Sequence, residues 1–168
     1  SSRGVGLRPH TKTSKCIEII TRQVDAGVTG LTVATLGEAE VLADAGFTDL
    51  FQAYPTWAGR PDRARRLRAL HERVSMMVGV ESADAAEALG RAVAGSPQRL
   101  RVLIELDPGL HRTGVPPDDV LAVARPGLGK VCLVAAENVG GGWHGGSLQL
   151  IQKPAQSERI SLASAQHA

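Results

Sequence analysis

Lys12 stands in RPHTKTSK, Arg8 to Lys15, directly after a short β-type run from Gly4 to Leu7 (GVGL). In β/α folds the reactive groups gather where strands end, so a lysine here can form a Schiff base once neighbours and partial desolvation lower its pKa. An exposed lysine in a polar turn accounts for the same position equally well. The stretch is not a phosphate-cradling loop, because the G-x-x-x-x-G-K-[ST] spacing is absent both here and from GLGK near residue 130. A second cluster, ELDPGLHRTGV from Glu105 to Val115, sets Asp107 and Arg112 on either side of a Pro108-Gly109 turn. Arg112 is a permanent cation able to hold an anionic or phenolate oxygen. Taken alone, an Asp107–Arg112 ion pair that steadies the turn is the favoured account. Tyr54, in QAYP, follows the third β-type run, where a lone tyrosine most often packs with its hydroxyl at the surface.

Short β-type runs alternate with stretches of helical period, and this rhythm defines the scaffold that must position those groups. After GVGL, a helix is predicted over residues 15–26, with Ile17, Ile20 and Val24 on one face and Gly27 closing it. GLTV (30–33) is the second strand, and Thr35 with Glu38 forms a capping box for a helix ending at Gly46. DLFQA (49–53), an arginine-rich helix over 62–72, SMMVGV (75–80) and a helix capped by Ser82 follow. RVLIEL (101–106), a short helix over 116–124 and a sixth strand over 130–135 complete the series. Strand onsets recur at a step of about 25 residues, the length of one β/α unit. Parallel strands joined by right-handed crossovers follow, either as an open doubly wound sheet or as part of a (β/α)8 barrel. A whole barrel needs about 250 residues, so 168 residues hold only five or six of its units.

Composition bounds the function. With 43% hydrophobic and 21% charged residues the chain can build a core, and with 3% aromatic residues that core is aliphatic. Nineteen basic against seventeen acidic residues give a net charge of +2, too even for a polyanion partner, and aromatic platforms for bases are scarce, so no nucleic acid is expected. The arginines of 60–73 read as a solvated helix face. Two cysteines, Cys16 and Cys132, are too few for a disulfide framework or a cysteine zinc site and fit a cytoplasmic setting. No apolar stretch approaches the ~20 residues of a membrane span, and no signal-peptide core is seen. An unclosed sheet leaves two edges that invite a homodimer or aggregation.

The stretch from Gly4 to Pro55, together with ELDPGLHRTGV, closely resembles the N-terminal barrel of the alanine-racemase-like, fold-type III pyridoxal-phosphate enzymes. Within that family it is most similar to the D-threonine aldolase and D-serine dehydratase branch. The resemblance implies an α/β fold, a partial, incomplete (β/α)8 TIM-type barrel of parallel strands and crossover helices. The family's R-P-H-x-K-T motif lands on Arg8, Pro9, His10, Lys12 and Thr13, which implies that Lys12 holds pyridoxal 5'-phosphate. Arg112, in D-x-G-x-x-R-x-G, would sit near the cofactor's ring and phenolic oxygen, His10 behind the lysine, and Tyr54 in the pocket lining. Ser14 stands where the family usually has histidine, so no orienting role carries over to that place.

The resemblance covers residues 1–125 as an N-terminal barrel portion, leaving 126–168 as a divergent tail expected to be poorly ordered. The tail keeps only an echo of a family T-H-x-G-H element in WHGGS, Trp143 to Ser147, and no role is carried over to His144. A further first strand and helix, the late phosphate-binding turns and the β-rich domain of the family have no counterpart in the sequence. The divalent-metal ligands of that domain are unmatched here too. The implied activity is that of a pyridoxal-phosphate-dependent lyase on small D-amino acids, in truncated form. It is D-threonine aldolase-like, with retro-aldol cleavage to glycine and aldehyde, or D-serine dehydratase-like. A non-catalytic pyridoxal-phosphate-binding protein of the same barrel, or an inactive fragment, is the alternative.

Overall fold

The computed structural model describes residues 6–107, 109, 111–124 and 131–135. The elements run α1 (Ile17–Asp25), β1 (Leu31–Val33), α2 (Leu36–Asp44), β2 (Asp49–Pro55), α3 (Pro61–His71) and β3 (Ser75–Val80). They continue with α4 (Ala83–Ala92), β4 (Leu100–Ile104), α5 (Val120–Ala124) and β5 (Val131–Ala135). All pairings are parallel, and the spatial order β1-β2-β3-β4-β5 is the chain order. A doubly wound sheet would reverse its order at a switch point, whereas strictly sequential neighbours are the signature of a barrel wall. Right-handed crossovers then put every helix on one face.

That face is the core. Val33, Leu50, Val78, Val80, Leu100 and Val102 are fully buried there against Ile20, Leu42, Leu67, Leu70, Leu89 and Val123 of the helices. Alternation turns the intervening residues to the concave side, where Thr32, Phe51, Met77 and Arg101 lie in register across four strands.

The local signals explain most boundaries. Thr35 accepts from the Glu38 amide at 3.2 Å and Ser82 from the Ala85 amide at 3.2 Å, the caps expected from sequence. The Glu38 carboxylate in turn accepts from the Ala34 amide at 2.8 Å, one residue before the capping threonine. Gly27 and Gly46 end α1 and α2 at φ 88° and 92°. The arginine-rich helix starts at Pro61, and its arginines tie it to α2: Arg66 grips Glu40 at 2.8 and 2.6 Å, while Arg73, just past the helix, reaches Asp44 at 2.6 Å.

Four expectations need correction. Of the first strand expected over 4–7, the described residues 6 and 7 are not strand. Residues 1–5 lie outside the described residues, and the pairing with β1 is made further on, through the Leu7 and Pro9 carbonyls (each 2.8 Å, to Thr29 and Thr32) and a bridge from His10 to Thr32. α1 begins at Ile17, because Lys15 sits at φ 46°, outside helical space. β4 ends at Ile104, and Leu106 instead bridges Val115 across the following turn. The helix over 116–124 is a 3-10 turn (Pro117–Asp119) leading into the short α5. β5 occupies the expected sixth strand, while the rest of the 126–168 tail, including Trp143 to Ser147, lies outside the described residues.

Among the described residues no helix is long and apolar enough to cross a membrane.

Candidate active site at the carboxyl end of the sheet

Every strand of a parallel sheet ends on the same side, and the residues that sequence reasoning selected follow those ends. Lys12 lies two residues past the His10 bridge, in a 3-10 turn over Thr11–Thr13. The turn is built by its neighbours: the Thr11 hydroxyl, buried, donates to the Thr32 carbonyl at 3.1 Å, and the Lys12 amide donates to His10 Nδ1 at 3.3 Å. Lys12 is exposed and has no carboxylate partner among the described residues, whereas Lys15 is held by Glu38 at 3.3 Å. Burial of Glu38 works to raise its pKa, but the Ala34 amide and Lys15 outweigh this and hold it below the usual carboxylate value.

His10 has its pKa lowered from 6.5, first by burial and then by the Lys12 charge, with Glu38 opposing. With Nδ1 accepting from an amide, the neutral ring carries its proton on Nε2. A histidine whose folded pKa is depressed contributes stability that is fully present above the unfolded value and is lost as pH falls through the folded one. Stability in urea is therefore expected to decline as pH drops below 6.5, and the decline to be smaller in His10→Asn, which keeps an acceptor for the Lys12 amide. Equal slopes in the two proteins would contradict this.

The turn after β4 corrects the expected Asp107–Arg112 pair. Asp107 accepts from the amides of Gly109 (2.9 Å) and His111 (3.0 Å) and pairs with His111 Nδ1 at 2.8 Å. The His111 amide, then that of Gly109, hold its pKa below the ordinary carboxylate range. One carboxylate thus organises the whole turn, and Arg112 is exposed with no carboxylate partner among the described residues. Gly114, at φ 99°, packs against the Leu106 and Asp107 backbone and donates to Glu81 at 2.9 Å.

Tyr54 sits at the end of β2 after a register shift between Gln52 and Pro55 and is 47% exposed. The shift is allowed by Gly79, where a Cβ would meet the Ala53 carbonyl oxygen at 2.8 Å. Lys12 and Arg112 follow strands four places apart, an arc of about 19 Å at the usual strand spacing, which barrel curvature shortens. The structure brings Lys12 and His10 together. It leaves Tyr54 and Arg112 on other strands of the same rim, and neither Lys12 nor Arg112 lines the cavity that Tyr54 helps form.

Sequence reasoning missed two groups here. Glu105 accepts from the Thr113 hydroxyl at 2.6 Å, and its other oxygen is buried without a partner among the described residues. Gln52, 6% exposed, donates to Thr56 Oγ1 at 2.7 Å with its own oxygen unpaired among the described residues. The signal for Gln52 was a polar residue in phase with Leu50 on the core face of DLFQA. Among the described residues no group of three or more His, Cys, Asp and Glu could hold a metal.

Comparison with known proteins agrees with this geometry. The chain is 38% identical to the D-threo-3-hydroxyaspartate dehydratase of Delftia sp. (strain HT23) over 127 residues, 74% of this chain and 33% of that one. An uncharacterized protein of Mycobacterium tuberculosis is 44% identical over 92 residues, 55% of this chain and 53% of the other. The crystal structure of D-threonine aldolase from Filomicrobium marinum superposes with a TM-score of 0.65 at 33% identity, covering 69% of this chain and 31% of that one. The chain thus spans about half the length of the mycobacterial relative and a third of the dehydratase. The model of the alanine racemase N-terminal domain matches residues 2–130, and the chain belongs to that family of fold-type III pyridoxal-phosphate proteins, whose barrel wall it forms.

Proposed function

We propose that Lys12 carries pyridoxal 5'-phosphate and that the chain serves a lyase acting on β-hydroxy-D-amino acids. The carrying observation is the pair of lysines in one turn: Lys12 exposed at a strand end with no carboxylate partner among the described residues, Lys15 bound to Glu38. The Lys15 amine is engaged by a carboxylate, and the Lys12 amine has none beside it among the described residues. The substrate class is supported by the names of two relatives, a D-threonine aldolase and a D-threo-3-hydroxyaspartate dehydratase, both acting on D-amino acids with a β-hydroxyl.

The residues fit the cofactor. Gly79, concave by its alternation with Met77, leaves the floor below the rim without a side chain. Arg112 offers a guanidinium for an anionic ring oxygen. His10, held neutral, fixes the turn that presents Lys12 without adding a second cation beside it. When bound, the cofactor supplies an electron sink for charge developing at the substrate Cα.

The test is incubation with D-threonine and pyridoxal phosphate, with and without a divalent metal, following glycine and aldehyde release against ammonia release. Glycine with aldehyde supports the aldolase assignment and ammonia the dehydratase one. Neither product, from protein that has taken up the cofactor, contradicts both and leaves a non-catalytic cofactor-binding protein.

A further inference from the structure

We propose that two copies of this chain pair rim to rim, each seating its Pro116-Pro117-Asp118-Asp119 turn in an aromatic cleft of the other. The cleft lies at the carboxyl end of β2, between the first turns of α2 and α3, and has a volume of about 280 Å³. That is just under the usual range for ligand cavities and suits a few side chains of a protruding turn. Its residues are distinct from the Lys12 turn, and the pairing does not depend on the cofactor reading.

The cleft has the composition of an interface hot spot. Only 3% of the chain is aromatic, yet its single tyrosine and one of its two tryptophans stand together there, Tyr54 47% and Trp57 45% exposed. The Trp57 indole lies against Gly59, where an added Cβ would collide with it. Arg63 of α3 completes the lining and has no carboxylate partner among the described residues, while Arg66 beside it is neutralised by Glu40. Tyrosine, tryptophan and arginine are the side chains that carry most of the binding energy where proteins meet.

The occupant is argued from the same rim. The Arg112 turn leads into Pro116 and the 3-10 turn Pro117–Asp119, and all four residues from Pro116 to Asp119 are exposed. Pro116 is held at φ −55° and ψ 147°, close to polyproline II, the form in which prolines dock on aromatic grooves with little entropy left to lose. Asp118 and Asp119 follow with no cationic partner among the described residues. Prolines against Tyr54 and Trp57, with carboxylates against Arg63, match apolar to apolar and charge to charge. Cleft and turn follow β2 and β4, two places apart at the same end of the sheet. A two-fold axis through the rim therefore makes the contact twice and closes the pair. With a net charge of +2, two copies repel each other little.

The experiment is analytical ultracentrifugation of the full chain at concentrations from about 1 μM to about 1 mM, the range that resolves such affinities. A reversible monomer–dimer equilibrium is expected, weakening with added salt as exposed ion pairs do. Arg63→Glu, in the first turn of α3 where a carboxylate suits the helix dipole, should weaken the dimer at least about tenfold. Asp118→Arg with Asp119→Arg should do the same. Mixing these two reversed proteins should restore a dimer, because in the mixed pair both clefts again face a turn of opposite charge. Trp57→Ser should weaken it too, independently of charge. A monomer at every concentration, a dimer indifferent to these substitutions, or no recovery on mixing would each overturn the proposal.

Discussion

Replacing Gly114 by alanine is expected to destabilise the fold by about 3 kcal/mol or more, the joint cost of a strained positive φ and an overpacked contact. The residue is at φ 99°, and an added Cβ would lie 2.6 Å from the Leu106 carbonyl carbon and 2.7 Å from the Asp107 nitrogen. All these neighbours are backbone, so no side chain can rotate away. The bond from the Gly114 amide to Glu81 and the bridge between Leu106 and Val115 depend on the same approach. Arg112 is carried on that turn, so the variant should also lose whatever Arg112 does. Urea denaturation followed by circular dichroism checks the first part; a midpoint within error of the parent protein would contradict it.

Arg8→Ala is expected to cost about 2–3 kcal/mol, the sum of a charge-assisted bond, two bonds to carbonyls and the packing of the arginine stem. Arg8 donates to the Leu31 and Asp49 carbonyls at 3.3 and 3.4 Å and to the Asp49 carboxylate at 3.0 Å. Its guanidinium lies over Gly30, where any Cβ would collide with it. The same Asp49 oxygen accepts from Arg101 at 3.2 Å, and Arg101 reaches the Ser75 hydroxyl at 2.9 Å. This network closes the amino end of the sheet and fastens the segment that leads to Lys12 onto β1 and β2. Because the groups are only partly buried, solvent screens the ion pair, and the carbonyl bonds carry much of the effect. A double-mutant cycle with Asp49→Ala should show coupling of about 1 kcal/mol. Additive losses would place Arg8's contribution in packing and the two carbonyl bonds, with none from the ion pair.

The parallel scaffold was legible because its signals are local. Thr35, Ser82, Gly27 and Gly46 cap or close helices with their own side chains or dihedrals, and apolar runs such as SMMVGV are buried on both faces in the way parallel strands require. The choice between a doubly wound sheet and a barrel was not local. It depends on which strands become neighbours, and the chain-order pairing decides it. Among the described residues the first segment pairs with β1 through the Leu7 and Pro9 carbonyls and the His10 bridge, so the pairing runs on past the end of GVGL.

At the candidate site, Lys12 was marked by type and position, yet what distinguishes it from Lys15 is Glu38, a partner set by packing of the turn against α2. Asp107 was misassigned to Arg112 for a related reason. His111 adopts φ 51° and folds its ring back to the carboxylate, a conformation that spacing alone does not reveal.

The central claim is that the Lys12 amine is the site of the cofactor. Borohydride reduction of the protein after incubation with pyridoxal phosphate, followed by proteolysis and mass mapping, tests it directly. The account predicts a saturable phosphopyridoxyl group on Lys12, absent from Lys12→Ala, with Lys15 unlabelled at the same cofactor concentration. Labelling of Lys15 to the same extent, or no stable label on Lys12, would contradict it.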